Sequence, residues 1–152
     1  MIALIRSHVI PAALTALPVA MDSPAAVRML VAIGWQESRF QHRVQIGGSA
    51  RGFWQFEQGG GIRGVLGHDQ TRVIVRDAMA ALCYRQALTP FGCYLAVEHN
   101  DIVAAMFARL LLWTDPAPLP EDETEAWRVY LRTWRPGKPH PQTWAEAWRL
   151  AA

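Results

Sequence analysis

The chain has 152 residues, of which 51% are hydrophobic and 18% are charged, and its formal net charge is +2. This length suits one domain with a substantial core, and the composition excludes a disordered tail, a coiled coil and a collagen-like fibre. No apolar run reaches the roughly 18 residues of a membrane-spanning helix, so no membrane insertion is expected. The small net charge does not indicate a nucleic-acid partner, but it is compatible with an anionic polymer such as a bacterial wall.

The first 20 residues are apolar and end in a sequence that loosely resembles a signal-peptidase site. Arg6 and His8 interrupt this stretch, Pro11 breaks it, and no basic region precedes it, which argues against a secretion signal. We therefore expect two short helical pieces, 2–9 and 11–17, that pack on the domain. Action outside the cytoplasm would then need another route, such as a holin or a virion.

The strongest local helix signal begins at Ser23-Pro24 and continues to Arg39. Serine is favoured at a helix N-cap and proline at the first helical position. Leu30, Ile33 and Glu37 fall on one face of this helix, so two aliphatic side chains precede a carboxylate that points toward the core. The pattern predicts a long helix that delivers an acid near its carboxyl end.

The rest of the chain is predicted to be mostly helical around one irregular segment. Residues 40–56 favour an irregular or β-edged small lobe near 43–56, and the three glycines at 59–61 indicate a turn. Four further helices are predicted. The first covers 70–88, is capped by Asp69 and ends at Thr89-Pro90; the second covers 102–113, is apolar on nearly every side and begins at Asn100 or Asp101. The third begins at 121–125, and the last is a short helix with a Thr143/Glu146 capping box. The expected fold is one all-α domain over residues 1–152.

The sequence gives no indication of a metal or a cofactor. Cys83 and Cys93 could bridge across a turn, but two thiols make no disulfide framework, and buried free cysteines are favoured. The histidines His42, His68 and His99 show no spacing typical of zinc ligands. No nucleophile elbow, phosphate loop or dinucleotide fingerprint is present.

Glu37 is the residue best suited to chemistry. A carboxylate withdrawn from water has its charged form disfavoured, so its pKa rises. A carboxylic acid that stays protonated near neutral pH is what glycosidic cleavage needs as a general acid. The alternative is an ordinary helix-end glutamate that faces solvent or pairs with Arg39 or Arg43.

Two motifs extend this interpretation. Glu37-Ser38-Arg39-Phe40, followed by Gly52-Phe53-Trp54-Gln55-Phe56, resembles the two signature motifs of lytic transglycosylases and goose-type lysozymes. The resemblance implies a lysozyme-like helical fold and peptidoglycan glycan strands as substrate. It also implies that Glu37 is the catalytic acid, Ser38 its neighbour in the cleft, and Gly52 and Gln55 part of the cleft wall.

The residues of the second motif have side chains that suit a saccharide. Phe53 and Trp54 offer flat faces for pyranose rings, and Gln55 offers both a donor and an acceptor. Trp127 and Trp134 could also line a sugar groove, although aromatic residues more often lie in cores. These residues are the candidate sugar contacts.

Glu57 is the main second carboxylate. If it faces Glu37 across the cleft, it could activate water or stabilise an oxocarbenium ion, which would make the protein a hydrolytic muramidase or a chitinase-like enzyme. If it lies on the surface or pairs with Arg51 or Arg63, Glu37 acts alone and the substrate's own C6 hydroxyl closes a 1,6-anhydro ring. This route with one carboxylate is the hallmark of the transglycosylases that the motifs resemble, and it is the preferred prediction.

The chain departs from that family in two places. The third transglycosylase motif, Ala-Tyr-Asn, is missing, since the corresponding helix contains Ala104-Ala105-Met106-Phe107-Ala108-Arg109. The family often has a late cleft tyrosine; Tyr130 is the candidate here, with a core aromatic as the alternative. A third possibility is therefore a non-catalytic structural or wall-binding module of a bacteriophage. The compact domain is similar to phage enzymes that breach the wall, which implies virion proteins as possible partners and a location in the virion or the host cytoplasm.

Overall fold

The structure is a computed structural model that describes residues 1–152, and it is mostly helical with no sheet. The α-helices are α1 (Ile2–Leu4), α2 (Ile10–Thr15), α3 (Pro24–Ser38), α4 (Arg63–Gly67), α5 (Arg72–Ala81), α6 (Pro90–His99), α7 (Asp101–Trp113), α8 (Glu123–Trp134) and α9 (Pro141–Leu150). Pairing of extended backbone is limited to two isolated bridges, which join Val44 to Arg51 and Arg51 to Phe56. The predicted all-α class is confirmed, with an irregular segment where the small lobe was expected.

Helix α3 forms as its sequence predicts. The Ser23 side chain accepts a hydrogen bond from the backbone N–H of Ala26 (3.1 Å), and Pro24 occupies the first helical position. The helix ends where Arg39 adopts a left-handed conformation (φ 52°). Since Leu30 and Ile33 are fully buried, this helix is anchored in the core and its last turn is held in a fixed place.

Helix α7 is the centre of the core. Every residue from 103 to 112 is buried, and the helix packs against α2, α3, α4, α5, α6 and α8. Asn100 caps its first turn by accepting from the backbone N–H groups of Ile102 (2.9 Å) and Val103 (3.3 Å). The prediction of a central apolar helix that begins at Asn100 or Asp101 is confirmed.

The N-terminal helical pieces are joined rather than separated. A π turn at Ile5–Val9 connects α1 to α2, and helical backbone continues through Pro11. Proline lacks an N–H and its ring presses on the carbonyl one turn earlier, which a wider turn accommodates. The predicted break at Pro11 is therefore wrong. No helix of the chain combines the length and the apolar character that crossing a membrane requires.

The predicted helix over 70–88 is shorter than expected. It begins at Arg72 and ends at Ala81, and a 3-10 turn follows at Arg85–Ala87. Asp69 does not cap it; Thr71 precedes the first turn, and its hydroxyl donates to the carbonyl of Val65 (2.7 Å).

The prediction missed helix α6. Thr89-Pro90 begins a helix instead of only ending one, because the Thr89 hydroxyl accepts from the backbone N–H of Gly92 (3.0 Å). The last helix likewise begins at Pro141, before the expected capping box, and the Thr143 hydroxyl donates to the side chain of Gln36 (2.9 Å). This contact helps to pack α9 on α3.

The two cysteines are free and differ in their surroundings. Cys93 is buried, as favoured by the sequence, but Cys83 is exposed. Burial raises the pKa of the Cys93 thiol to about 11, so this thiol is neutral at physiological pH.

Candidate active site

A cleft of about 600 Å³ opens at the carboxyl end of α3. Its walls come from that helix end, from the segment between α3 and α4, from the end of α8 and from the connector between α8 and α9. Five of the candidate residues lie together on its lining: Glu37, Gln55, Glu57, Tyr130 and Trp134. A cavity of this size is typical of small-molecule sites.

Glu37 lies in the last turn of α3 and is partly buried. The hydroxyl of Tyr130 donates a hydrogen bond of 2.7 Å to its Oε1 atom. The basic residues nearest in sequence are engaged elsewhere: Arg43 pairs with Asp101 (2.7 Å), and the Arg39 guanidinium lies over a Trp35 ring. Glu37 is therefore neither a solvent-facing glutamate nor half of an ion pair with these arginines.

The environment of Glu37 favours its protonated form. Burial raises its pKa from 4.5 to about 7, and the hydrogen bond from Tyr130 opposes this rise because it stabilises the charged form. A substantial fraction of the side chain is therefore protonated at neutral pH. Such a group can donate a proton to a bound substrate and later accept one.

Tyr130 is held by a cluster of aromatic rings. It stacks on Trp144 with ring centroids 5.2 Å apart, and it also contacts Trp127 (5.2 Å) and Trp134 (6.4 Å). Burial, and then the adjacent Glu37 carboxylate, raise the pKa of the Tyr130 hydroxyl, which keeps it a proton donor in the hydrogen bond. The aromatic cluster thus fixes the hydroxyl that orients Glu37.

Ser38 is buried and does not line the cleft. Its hydroxyl donates to the backbone carbonyl of Phe53 (2.7 Å) and accepts from the backbone N–H of Phe40 (3.1 Å). The predicted role as a substrate contact is therefore corrected. Ser38 joins the end of α3 to the second motif, which sets the position of one cleft wall relative to Glu37.

Phe53 and Trp54 are also core residues rather than sugar platforms. Both side chains are buried; the Trp54 indole donates to the carbonyl of Leu30 (2.9 Å), and Phe53 meets Phe40 edge to face with centroids 5.7 Å apart. The turn directs both rings into the core, where Trp54 packs on α3. Of the two other tryptophans proposed as groove residues, Trp134 lines the cleft, whereas Trp127 lies in the aromatic cluster behind it.

Gly52 serves packing rather than access of the saccharide. It is buried, its φ is +71°, and a Cβ atom there would lie 2.5 Å from the carbonyl oxygen of Val97 at the end of α6. Only glycine combines that backbone conformation with so close an approach. Its predicted place in the cleft wall is corrected, since the lining begins further along the same turn.

Gln55 does line the cleft, as predicted. Its Nε2 donates to the carbonyl of Gly52 (2.8 Å), which anchors the side chain to its own turn. With Nε2 held in this way, the Oε1 atom is the part of the amide that can accept a hydrogen bond from a ligand.

Glu57 is exposed on the cleft and forms no ion pair with either arginine considered from the sequence. Arg51 pairs instead with Glu98 at 2.8 Å. The cleft therefore contains two carboxylates in different environments, one partly buried and one open to solvent.

Sequence patterns did not identify the part of the cleft that the connector between α8 and α9 lines. It contains three basic side chains, Arg135, Lys138 and His140, and Leu111 contributes from α7. The run of prolines between 136 and 141 predicted a rigid connector. No local pattern could have placed it beside Glu37, since the two segments are about a hundred residues apart in sequence.

Comparisons of the chain with protein-family models, with curated proteins and with solved structures give no match. Its class is therefore inferred from the fold, the cleft and the two sequence motifs.

Proposed function

We propose that the protein is a peptidoglycan lytic transglycosylase of lysozyme-like fold that cleaves the β-1,4 bond between N-acetylmuramic acid and N-acetylglucosamine. The observation that carries this proposal is the environment of Glu37: a partly buried carboxyl group with a pKa of about 7, hydrogen-bonded by Tyr130, on a cleft large enough for a saccharide. The two motifs around Glu37 and Gln55 support the same class.

The first step is protonation of the leaving group. Glu37 donates its proton to the bridging oxygen, the bond between that oxygen and C1 of the muramic acid breaks, and C1 acquires oxocarbenium character. Because Tyr130 binds Oε1, the proton is best donated from Oε2. Tyr130 is thus a positioning residue for the acid.

The second step uses the same carboxyl group as a base. The Glu37 carboxylate takes the proton of the C6 hydroxyl, the C6 oxygen attacks C1, and a 1,6-anhydro ring closes. Glu37 is protonated again, and no water is consumed. A pKa near 7 suits both steps, since the group must give and accept a proton at the same pH.

A hydrolase with the same fold is the second candidate, and the position of Glu57 favours it. This carboxylate lines the same cleft and has no arginine partner, so it is available to activate a water molecule. The products would then carry reducing ends in place of anhydro ends.

The experiment is digestion of purified peptidoglycan followed by mass spectrometry of the released muropeptides. We expect anhydro ends from the parent protein and from Glu57→Gln, and no release from a folded Glu37→Gln variant. Loss of activity in Glu57→Gln together with reducing ends from the parent would establish the hydrolase. A folded parent that releases nothing would refute both enzymes and favour the non-catalytic phage module, for which the absent Ala-Tyr-Asn motif is the argument.

A further inference from the structure

A second cavity, of about 570 Å³, lies at the carboxyl end of α7, away from the cleft. It is bounded by the last turns of that helix, by the proline-rich connector that follows, and by residues before and within the first turn of α3. Most of its connector wall is apolar, with Pro116, Ala117, Pro118 and Leu119. Its lining shares no residue with that of the Glu37 cleft.

Arg109 lines this cavity and is only 3% exposed. Its Nε donates to the backbone carbonyl of Met21 (2.7 Å), whereas its buried Nη1 atom has no hydrogen-bond partner. Burial lowers the pKa of the guanidinium to about 10, so it is still charged at neutral pH. A buried charge without a counter-ion is unfavourable, because its donors have lost water and have gained no acceptor in exchange.

The other charged group on the cavity does not neutralise Arg109. Asp115 forms an ion pair with Arg132 through Oδ2, and its Oδ1 accepts from the backbone N–H of Ala117 (3.0 Å). The guanidinium instead lies 4.9 Å from the centre of a Trp113 ring. The face of an aromatic ring attracts a cation, but it does not accept the strong hydrogen bonds that a carboxylate would accept. The cavity therefore combines one unsatisfied cation with aromatic and aliphatic walls.

We propose that this cavity binds a small organic carboxylate with an apolar body. The carboxylate accepts a hydrogen bond from the Arg109 guanidinium, and the apolar part packs on Trp113, Leu112 and the proline-rich wall. The hydroxyl of Ser23, on the same lining, is a further donor. This site is independent of the proposed cleavage of peptidoglycan.

The test is a titration of the isotope-labelled full chain, followed by proton–nitrogen NMR. Benzoate is the probe, benzamide is its neutral counterpart of nearly equal shape, and inorganic phosphate is a compact anion without an apolar part. We expect saturable shifts of the Arg109 Nε–H and Trp113 indole signals with benzoate, at an affinity at least tenfold above those of benzamide and phosphate.

Two variants complete the experiment. Arg109→Met removes the charge while keeping the side chain long and apolar, and it should abolish the preference for benzoate over benzamide. Arg28→Met is the matched control, because Arg28 also has a buried Nε without a partner but lies over Trp148, outside this cavity. It should leave benzoate binding unchanged.

Equal binding of benzoate and benzamide by the parent chain would overturn the proposal, even if Arg109→Met does not fold. Absence of any shift at Arg109 would overturn it as well. If phosphate binds as tightly as benzoate, the claim that the apolar walls contribute to binding is wrong. Since the readout is binding, failure of the peptidoglycan proposal leaves this result unaffected.

Discussion

Replacing Glu37 by glutamine should stabilise the protein at alkaline pH and not at acid pH. The carboxyl pKa of about 7 in the folded chain lies above its ordinary value of 4.5. The folded state therefore holds a proton that the unfolded state has lost between these two pH values, so stability falls as the pH rises through that window. Glutamine resembles the protonated acid, can still accept the Tyr130 hydrogen bond, and has no charge to desolvate.

The magnitude follows from the displacement of the pKa from 4.5 to about 7. At about 1.4 kcal/mol for each pH unit, the ionised carboxylate costs about 3 kcal/mol of folding free energy above pH 7. Glu37→Gln should be about 3 kcal/mol more stable than the parent at pH 8 and about equal to it near pH 4.

The assay is urea-induced unfolding at several values between pH 4 and pH 8, followed by tryptophan fluorescence. Glu57→Gln is the control, because it makes the same substitution at a carboxylate of the same cleft that is exposed to solvent. Equal stability of the Glu37→Gln variant and the parent at pH 8 would refute the claim that this carboxyl group is desolvated.

Three further predictions concern the parts that hold the site. Tyr130→Phe removes a hydrogen bond that favours the charged acid, so the alkaline fall of the pH–rate profile should move up by about one pH unit and the maximal rate should drop about tenfold. Ser38→Ala leaves a buried carbonyl without its donor, and urea unfolding should show a loss of about 1–3 kcal/mol. Gly52→Ala should destabilise the fold by more than Gly47→Ala in the same assay, since both glycines have positive φ but only Gly52 would clash with Val97.

Each of these has a result that contradicts it. A pH–rate profile of Tyr130→Phe that stays in place, or moves down, would show that the hydroxyl does not tune the acid. Tyr94→Phe is the control and should behave like the parent, since Tyr94 lies on α6 and does not line the cleft. If Ser38→Ala is as stable as the parent, a water molecule must replace the Ser38 hydroxyl as the donor to the Phe53 carbonyl. If Gly52→Ala and Gly47→Ala lower the free energy of unfolding equally, the loss arises from the backbone conformation alone and not from a clash with Val97.

Local sequence signals predicted the elements that depend on local chemistry. Helix α3 was predicted because Ser23-Pro24 caps its start and the spacing of Leu30 and Ile33 defines its buried face. Thr89-Pro90 is an equivalent signal and begins α6, although its proline also suits the end of a preceding helix.

The arrangement of the site depends on contacts that no local pattern contains. Phe53 and Trp54 were predicted on the cleft because aromatic residues suit sugars, but the turn that begins at Gly52 directs both rings into the core. The hydrogen bond between Tyr130 and Glu37 joins residues 93 positions apart, so sequence reasoning could suggest each residue but not their contact. The pKa of the acid depends on the same tertiary packing.

The most direct measurement is digestion of purified peptidoglycan in water enriched in oxygen-18, with mass spectrometry of the products. If Glu37 acts as both acid and base and the C6 hydroxyl is the nucleophile, the released strands carry 1,6-anhydro ends without the heavy isotope. Heavy oxygen at newly formed reducing ends would contradict this mechanism, because the attacking oxygen would then have come from water.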